Sequence, residues 1–218
     1  MASDHQPCLR RRLFNALMIP WVDKTIAVLA VLPFAYELVK IAMRGEMNIP
    51  RASTAIQFLL VIGTMILRTA PVRVTPNPWY WLLAFFASYW GLFTVAFAQK
   101  GVALTPSVVT NSISIISLAI AVYARLSLGR NIGLVPAKRS IVTGGAYRFV
   151  RHPIYTGLFL SYFSFALRMY SPWNLTLVLI VIGMFVVKSF IEEGFLREDS
   201  EYADYLRRVR WRWFPGLV

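Results

Sequence analysis

The chain has 218 residues, of which 57% are apolar and 15% charged, and its mean hydropathy is +0.57. A soluble domain is about half apolar and a quarter charged, so a water-soluble globule and intrinsic disorder are both excluded. Two histidines and the single Cys8 are too few for a disulfide framework or a His/Cys metal centre, and Cys8 has no partner within the chain to report a redox compartment. The 23 Lys and Arg against 10 Asp and Glu give a charge of +13, which in so apolar a chain points to basic flanks of membrane segments.

Six stretches approach the roughly 20 residues that a helix needs to cross a hydrocarbon core of about 30 Å. They cover 25–43, 53–67, 79–98, 108–124, 154–170 and 173–190. The second is short at its charge-free core, so five spans are the alternative count. Ser171-Pro172 turns the last two into a tight hairpin. Trp79, Tyr80 and Trp81 open the third stretch, and Tyr170 and Trp173 bracket the hairpin turn, where amphipathic aromatics mark a bilayer interface. The run Arg10, Arg11 and Arg12 resembles the charged start of a signal peptide, but no small-x-small cleavage site closes the apolar stretch after it. That stretch continues past Glu37 and Lys40, whose i, i+3 spacing predicts a neutralised pair on one helix face.

With an N-terminus inside, one side of the membrane collects seventeen basic residues. They are Arg10, Arg11, Arg12, Arg68, Arg73, Arg125, Arg130, Lys138, Arg139, Arg148, Arg151, Lys188, Arg197, Arg207, Arg208, Arg210 and Arg212. The other side holds only Arg44, Arg51, Lys100 and Arg168. This asymmetry predicts an even number of spans with both termini cytoplasmic. Orientation accounts for most of the charge, so nucleic-acid binding is not indicated, and the surplus suits anionic headgroups.

No internal repeat is visible, but the texture changes near residue 125, dividing the chain into 1–124, with four apolar spans, and 125–218, where chemistry is expected. Small polar residues of the fourth span, Asn111, Ser112, Ser114 and Ser117, predict close helix packing rather than a substrate tunnel. The aromatics of the third span, Phe85, Phe86, Tyr89, Trp90, Phe93 and Phe97, predict a lipid-facing helix.

Six of the ten acids, Glu192, Glu193, Glu198, Asp199, Glu201 and Asp204, follow the last span. Phe195, Leu196, Tyr202, Tyr205, Leu206 and Val209 form an apolar stripe among them, predicting one amphipathic helix over 192–210. Glu192 and Glu193 stand at the membrane boundary beside Lys188, where anions need a partner, and a cationic ligand is one option. The polar loop 125–153 ends in Gly144-Gly145-Ala146-Tyr147-Arg148-Phe149-Val150-Arg151-His152-Pro153-Ile154-Tyr155-Thr156-Gly157. Pro153 suits the first turn of the next helix, which places His152 at a helix N-terminus, where amides and the dipole favour an anionic group. Gly144, Gly145 and Gly157 permit close backbone approach.

Three blocks together resemble the isoprenylcysteine carboxyl methyltransferase family and its bacterial and phospholipid-methylating relatives. They are Leu128-Gly129-Arg130-Asn131, the run Gly145 through Gly157, and Glu192-Glu193-x-x-Leu196 with Tyr202, Tyr205 and Pro215 beyond. The likeness covers about 125–215. It implies an all-α polytopic membrane enzyme that uses S-adenosylmethionine and no metal, with a C-terminal cytoplasmic amphipathic helix. It further implies a cofactor held at the cytoplasmic face by Tyr147, Arg151, His152, Pro153, Tyr155, Gly157, Glu192 and Glu193. His152 and its neighbouring amides would meet the cofactor carboxylate, a glutamate its ammonium or ribose hydroxyls, and a tyrosine its sulfonium or adenine.

Lys188 and Glu193 are the residues expected nearest the reacting groups. Many members of that family carry Arg at the position of Lys188, and a lysine offers a point charge where arginine offers a planar fork for a carboxylate. The acceptor implied is lipophilic and arrives from the bilayer: a prenylated cysteine acid, a phospholipid, or another hydrophobic small molecule. Two rivals of other classes are an NADPH-dependent membrane sterol-type reductase and a non-catalytic membrane scaffold. The reductases share an Arg-His-Pro-x-Tyr arrangement, typically with Asn where this chain has Ile154, and no Gly-x-Gly-x-x-Gly fingerprint is present.

Overall fold

The structure, a computed structural model, describes residues 19–43, 45, 47–133 and 137–217. Cys8, Arg10, Arg11, Arg12 and Arg44 lie outside the described residues, so the expectations about an N-terminal signal and about the N-terminal share of the charge asymmetry fall there too.

Seven α-helices are found among the described residues: α1 (Pro20–Met43), α2 (Ile49–Leu67), α3 (Pro78–Phe97), α4 (Ser107–Leu128), α5 (Pro153–Arg168), α6 (Pro172–Leu196) and α7 (Ser200–Arg208). The start signals are local. Asn48, Asn77 and Ser171 accept hydrogen bonds from Arg51, Trp79 and Asn174 amides at 3.0, 3.0 and 3.1 Å, and each is followed by a proline in the first turn of α2, α3 or α6.

Five helices, α1, α2, α3, α4 and α6, are long and apolar enough to cross a membrane, which makes this a polytopic all-α membrane protein. The expected fifth of six spans, 154–170, is the 16-residue α5, about 24 Å long and short for the hydrocarbon core by itself. It is bounded by Pro153 and by the reversal at Ser171. Its flanks nevertheless reach far: His152 contacts Glu193 of α6 at one end, and the Met169 carbonyl accepts from Asn174 at the other. α5 thus accompanies α6 from Asn174 to Glu193, roughly 29 Å at 1.5 Å per residue.

Close packing of small residues draws α4 and α5 together. The Ser114 and Ser164 hydroxyls are 2.9 Å apart, Ser117 donates to the Gly157 carbonyl at 2.8 Å, and a Cβ on Gly157 would meet that Ser117 carbonyl at 3.0 Å. Ser114 and Ser117 pack helices as their residue types suggest, although Ser114 also borders an internal cavity, whereas Ser112 is exposed. The α3 aromatics divide: Phe85, Phe86, Phe93 and Phe97 are exposed on the outer face, whereas Tyr89 is buried and donates to the Ala30 carbonyl of α1 at 2.6 Å. Trp90 and Trp173 bind α3 to α6 through the Leu177 and Phe97 carbonyls, each at 2.9 Å. Fully buried Asn174 ties the same end to Gln99, accepting from its amide and donating to its carbonyl, both at 2.9 Å.

At the opposite end basic residues cap α2, among them Arg130 and Arg139, two of the cations expected to mark orientation. Helix C-termini leave carbonyls unmet and carry partial negative charge. Lys24 donates to the Ile66 and Arg68 carbonyls at 2.6 and 2.7 Å, Arg130 to Leu67 at 2.8 Å, and Arg139 to Thr69 at 2.8 Å. Arg68 is itself buried against Asp23, with nitrogens 2.6 and 3.1 Å from the two carboxylate oxygens. Glu37 and Lys40 pair at 2.8 Å as their spacing predicts.

Short strands β1 (Arg73–Val74) and β2 (Ala137–Lys138) pair antiparallel and bring a first-half loop against the second half. The single helix expected over 192–210 is two helices. α6 ends at Leu196, and Asp199 caps α7 through the Glu201 amide at 3.0 Å while pairing with Lys138, so side-chain capping at 197–199 overrides the continuous apolar stripe. Tyr202, Tyr205 and Val209 are buried with Ile141, Tyr147 and Leu196, folding this segment back over the loop.

Asp23→Asn is expected to lower stability by about 3–5 kcal/mol, because it strands the buried Arg68 charge beside Arg139. Melting of the detergent-purified variant checks this, and the double change Asp23→Leu/Arg68→Met should recover most of the loss.

Candidate functional site

Glu193 projects from the last turn of α6 and is 2% exposed. A carboxylate buried so deeply needs partners, and four donors converge on it. Arg212 contributes two nitrogens, each 2.9 Å from a different carboxylate oxygen, Arg151 approaches at 3.2 Å, and His152 Nε2 lies 3.1 Å away. Arg151 spends its remaining nitrogens on the Val209 and Leu206 carbonyls at 2.7 and 3.2 Å. The backbone completes the clamp: the Arg151 and His152 amides donate to the Trp211 and Arg212 carbonyls, both at 2.9 Å, and the Thr156 hydroxyl donates to the Trp213 carbonyl. Segment 209–213 therefore covers the N-terminus of α5.

Beside this clamp, Glu192 faces a different set of groups. The Tyr155 hydroxyl donates to it at 2.7 Å, the Lys188 ammonium is 3.7 Å away, and His152 Nδ1 stands at 3.9 Å. The His152 and Tyr155 rings stack with centroids 5.1 Å apart, and Lys188 lies 5.7 Å from the Tyr155 and Phe185 ring centres. Lys188 is 4% exposed.

These groups open on a cavity of about 370 Å³. At this end its wall includes Tyr147, Arg151, His152, Tyr155, Lys188 and Glu192, the expected residues that the structure brings together. Pro153, Gly157 and Glu193 do not line it: Gly157 is pressed against α4, and Glu193 is enclosed by its four donors. The amides foreseen as an anion site are largely taken, since His152 donates to Arg212 while Tyr155 and Thr156 donate to the His152 carbonyl. Gly145 adopts φ +58 and stands so close to Ser127 that any Cβ would collide, whereas Gly144 has open space around it.

Sequence reasoning missed Arg125, Arg139, Tyr202 and Tyr205 on the cavity wall and Arg212 at the clamp. A signal for Arg125 existed. Ser114, Ser117, Ala121 and Arg125 recur at helical spacing on the face of α4 that is buried, so Arg125 continues an inward stripe. Burial and the like charge of Arg68 pull the Arg139 guanidinium down to about 10, with Asp23 opposing. Burial also raises the Tyr147, Tyr202 and Tyr205 phenols, keeping them neutral donors. From this end the cavity continues between α2, α3 and α5, past Gln57, Ser88 and Tyr162, towards Arg168.

Fold and cavity together define a polytopic helical membrane protein with a basic, aromatic-walled chamber that extends between apolar helices. Residues 112–202 match the model of the phospholipid methyltransferase family, which belongs to the same superfamily of membrane methyltransferases as the isoprenylcysteine carboxyl methyltransferases. The match takes in most of α4, the loop after it, α5, α6 and the start of α7. It supports a membrane methyltransferase with a lipid-type acceptor and supports the phospholipid branch no less than the isoprenylcysteine one. No curated protein matches the chain at a significant level.

Glu193→Gln should leave two half-buried guanidiniums undercompensated, costing about 3–5 kcal/mol. The expected readout is faster tryptic cleavage at Arg207 through Arg212; an unchanged cleavage rate would contradict the clamp. A hydrogen bond from Lys138 holds the Asp199 carboxyl below its ordinary value of 3.8. Its contribution is complete above that value and is lost as pH falls through the depressed folded value. Acidification should therefore loosen α7, and Asp199→Asn should remove that part of the pH response in hydrogen exchange.

Proposed function

We propose that the protein is an integral membrane methyltransferase that passes a methyl group from S-adenosylmethionine to a lipid-type acceptor, in a site on the cytoplasmic side. The observation that carries this reading is the family match over 112–202 coinciding with the loop and hairpin that wall the chamber. A chamber next to apolar helices suits an acceptor that reaches it from the bilayer, either a phospholipid or a prenylated cysteine acid.

The donor set suits S-adenosylmethionine. That molecule combines an ammonium, a carboxylate and a sulfonium, and the chamber offers a carboxylate, cations and aromatic faces together. Glu192, braced by the Tyr155 hydroxyl, would hold the ammonium or the ribose hydroxyls, and the Tyr155 and Tyr147 rings would face the sulfonium or the adenine. When bound, the cofactor supplies a sulfonium methyl group for in-line displacement. The chain's own contribution is alignment and exclusion of water rather than a covalent intermediate. Glu193 and Arg151 act as positioning residues: they fix His152 and the 209–213 segment and so hold the chamber wall in place. A carboxylate acceptor arrives already ionised and needs a cation, not a base. An ammonium acceptor must lose a proton, and Glu192 is the carboxylate on the chamber wall to receive it.

The test supplies detergent-purified protein with methyl-tritiated S-adenosylmethionine and, separately, phosphatidylethanolamine vesicles, farnesylcysteine acid and NADPH. Label is expected to enter a lipid product, with kcat/KM at least about a hundredfold lower in Glu192→Gln, a loss concentrated in cofactor KM. Binding of NADPH without S-adenosylmethionine binding or label transfer would replace this reading with a reductase.

A further inference from the structure

Arg125 is a deeply buried charge without a side-chain partner among the described residues. It belongs to the last turn of α4, is 7% exposed, and forms part of the cavity wall, yet its Nε has no hydrogen-bond partner. Its electrostatic neighbour is the phenol of Tyr147, not a carboxylate, and no side-chain acceptor is found for it among the described residues. A guanidinium withdrawn from water within a membrane helix is strongly unfavourable unless an anion reaches it.

The rest of the wall sharpens the point. Its full cations are Arg125, Arg139, Arg151, Arg168 and Lys188, against the single acid Glu192. Arg151 is spent on Glu193 and two backbone carbonyls, Lys188 faces Glu192, and Arg139 gives its Nε to Thr69. At this end of the bundle the cavity is left with a surplus of positive charge and a buried donor unmet. A planar fork of this kind matches the paired oxygens of a phosphate or a carboxylate.

We propose that Arg125 is an oxyanion-binding residue of the cavity, taking a phosphate or carboxylate oxygen of a ligand through its guanidinium fork. The proposal rests on the methyltransferase reading for the two sources of that group: the phosphate of a glycerophospholipid acceptor and the carboxylate of the cofactor. Lys188, already opposed by Glu192, is then the lesser cation for the ligand, and Arg125 sets its register in the chamber.

The experiment uses the full chain in detergent and compares wild type with Arg125→Met. Native mass spectrometry follows retention of dioleoylphosphatidylethanolamine and of uncharged dioleoylglycerol, and calorimetry follows S-adenosylhomocysteine. Arg125→Met is expected to lose about tenfold or more in affinity for an oxyanion ligand, the scale of a lost charge-assisted pair, with dioleoylglycerol unchanged. Loss confined to the phospholipid assigns the headgroup phosphate; loss confined to S-adenosylhomocysteine assigns the carboxylate. Unchanged binding of both overturns the proposal, as does an equal loss for dioleoylglycerol, which would report a collapsed cavity. If wild type fails to bind S-adenosylhomocysteine but its phospholipid retention depends on Arg125, the methyltransferase reading fails and this one stands. Should Arg125→Met not fold, Arg125→Gln decides by the same criteria.

Discussion

The carboxylate of Glu193 is the point on which this end of the molecule depends. One buried negative charge collects Arg151, His152 and Arg212 from two stretches of chain about sixty residues apart, and each of those residues carries its own backbone bonds into the assembly. The arrangement is enforced by cost. A lone buried carboxylate would be prohibitive, and two half-buried guanidiniums without it would be costly as well. The loop before α5, the end of α6 and the 209–213 segment must therefore be in register together, and the chamber wall follows from that register.

Seen from the chamber, the neighbouring glutamates have opposite duties. Glu193 is saturated by protein donors and holds the frame, while Glu192, one residue on, is turned towards Tyr155, Lys188 and the cavity. Successive residues on a helix are about 100° apart, so a Glu-Glu pair at the end of α6 can present one carboxylate to the scaffold and the other to a ligand. Lipid access fits the same geometry, because the cavity passes from this polar end between α2, α3 and α5.

Several basic residues gain a different meaning once they are folded. Lys24, Arg130 and Arg139 close the C-terminal end of α2, and Arg68 is neutralised by Asp23. Counting positive charges by loop treats Arg130 and Arg139 as solvated markers of orientation, whereas here they satisfy carbonyls that the membrane helix leaves exposed. A long basic side chain at a membrane boundary can serve a helix terminus while staying near the headgroups.

Composition and hydrophobic runs alone determined that this is a polytopic helical membrane protein, because a bilayer admits few other solutions to backbone hydrogen bonding. The Ser-Pro start of α6, the Glu37–Lys40 pair and the packing of Ser114 and Ser117 were legible for the same reason: turns, i, i+3 pairs and small-residue contacts are set by near neighbours or by a single helix face. The blocks around His152 and Glu192 also pointed to the region that walls the chamber. Only the tertiary structure decided which residue does what within it. That Glu193 is enclosed while Glu192 is open, that Arg212 joins the clamp, that α6 and α7 separate at Asp199, and that Arg125 is buried without a partner all depend on distant segments meeting. A helical stripe can mark the face that turns inward, as for Arg125, but whether a charge buried there finds a partner is fixed by whichever remote donors and acceptors the fold brings to it.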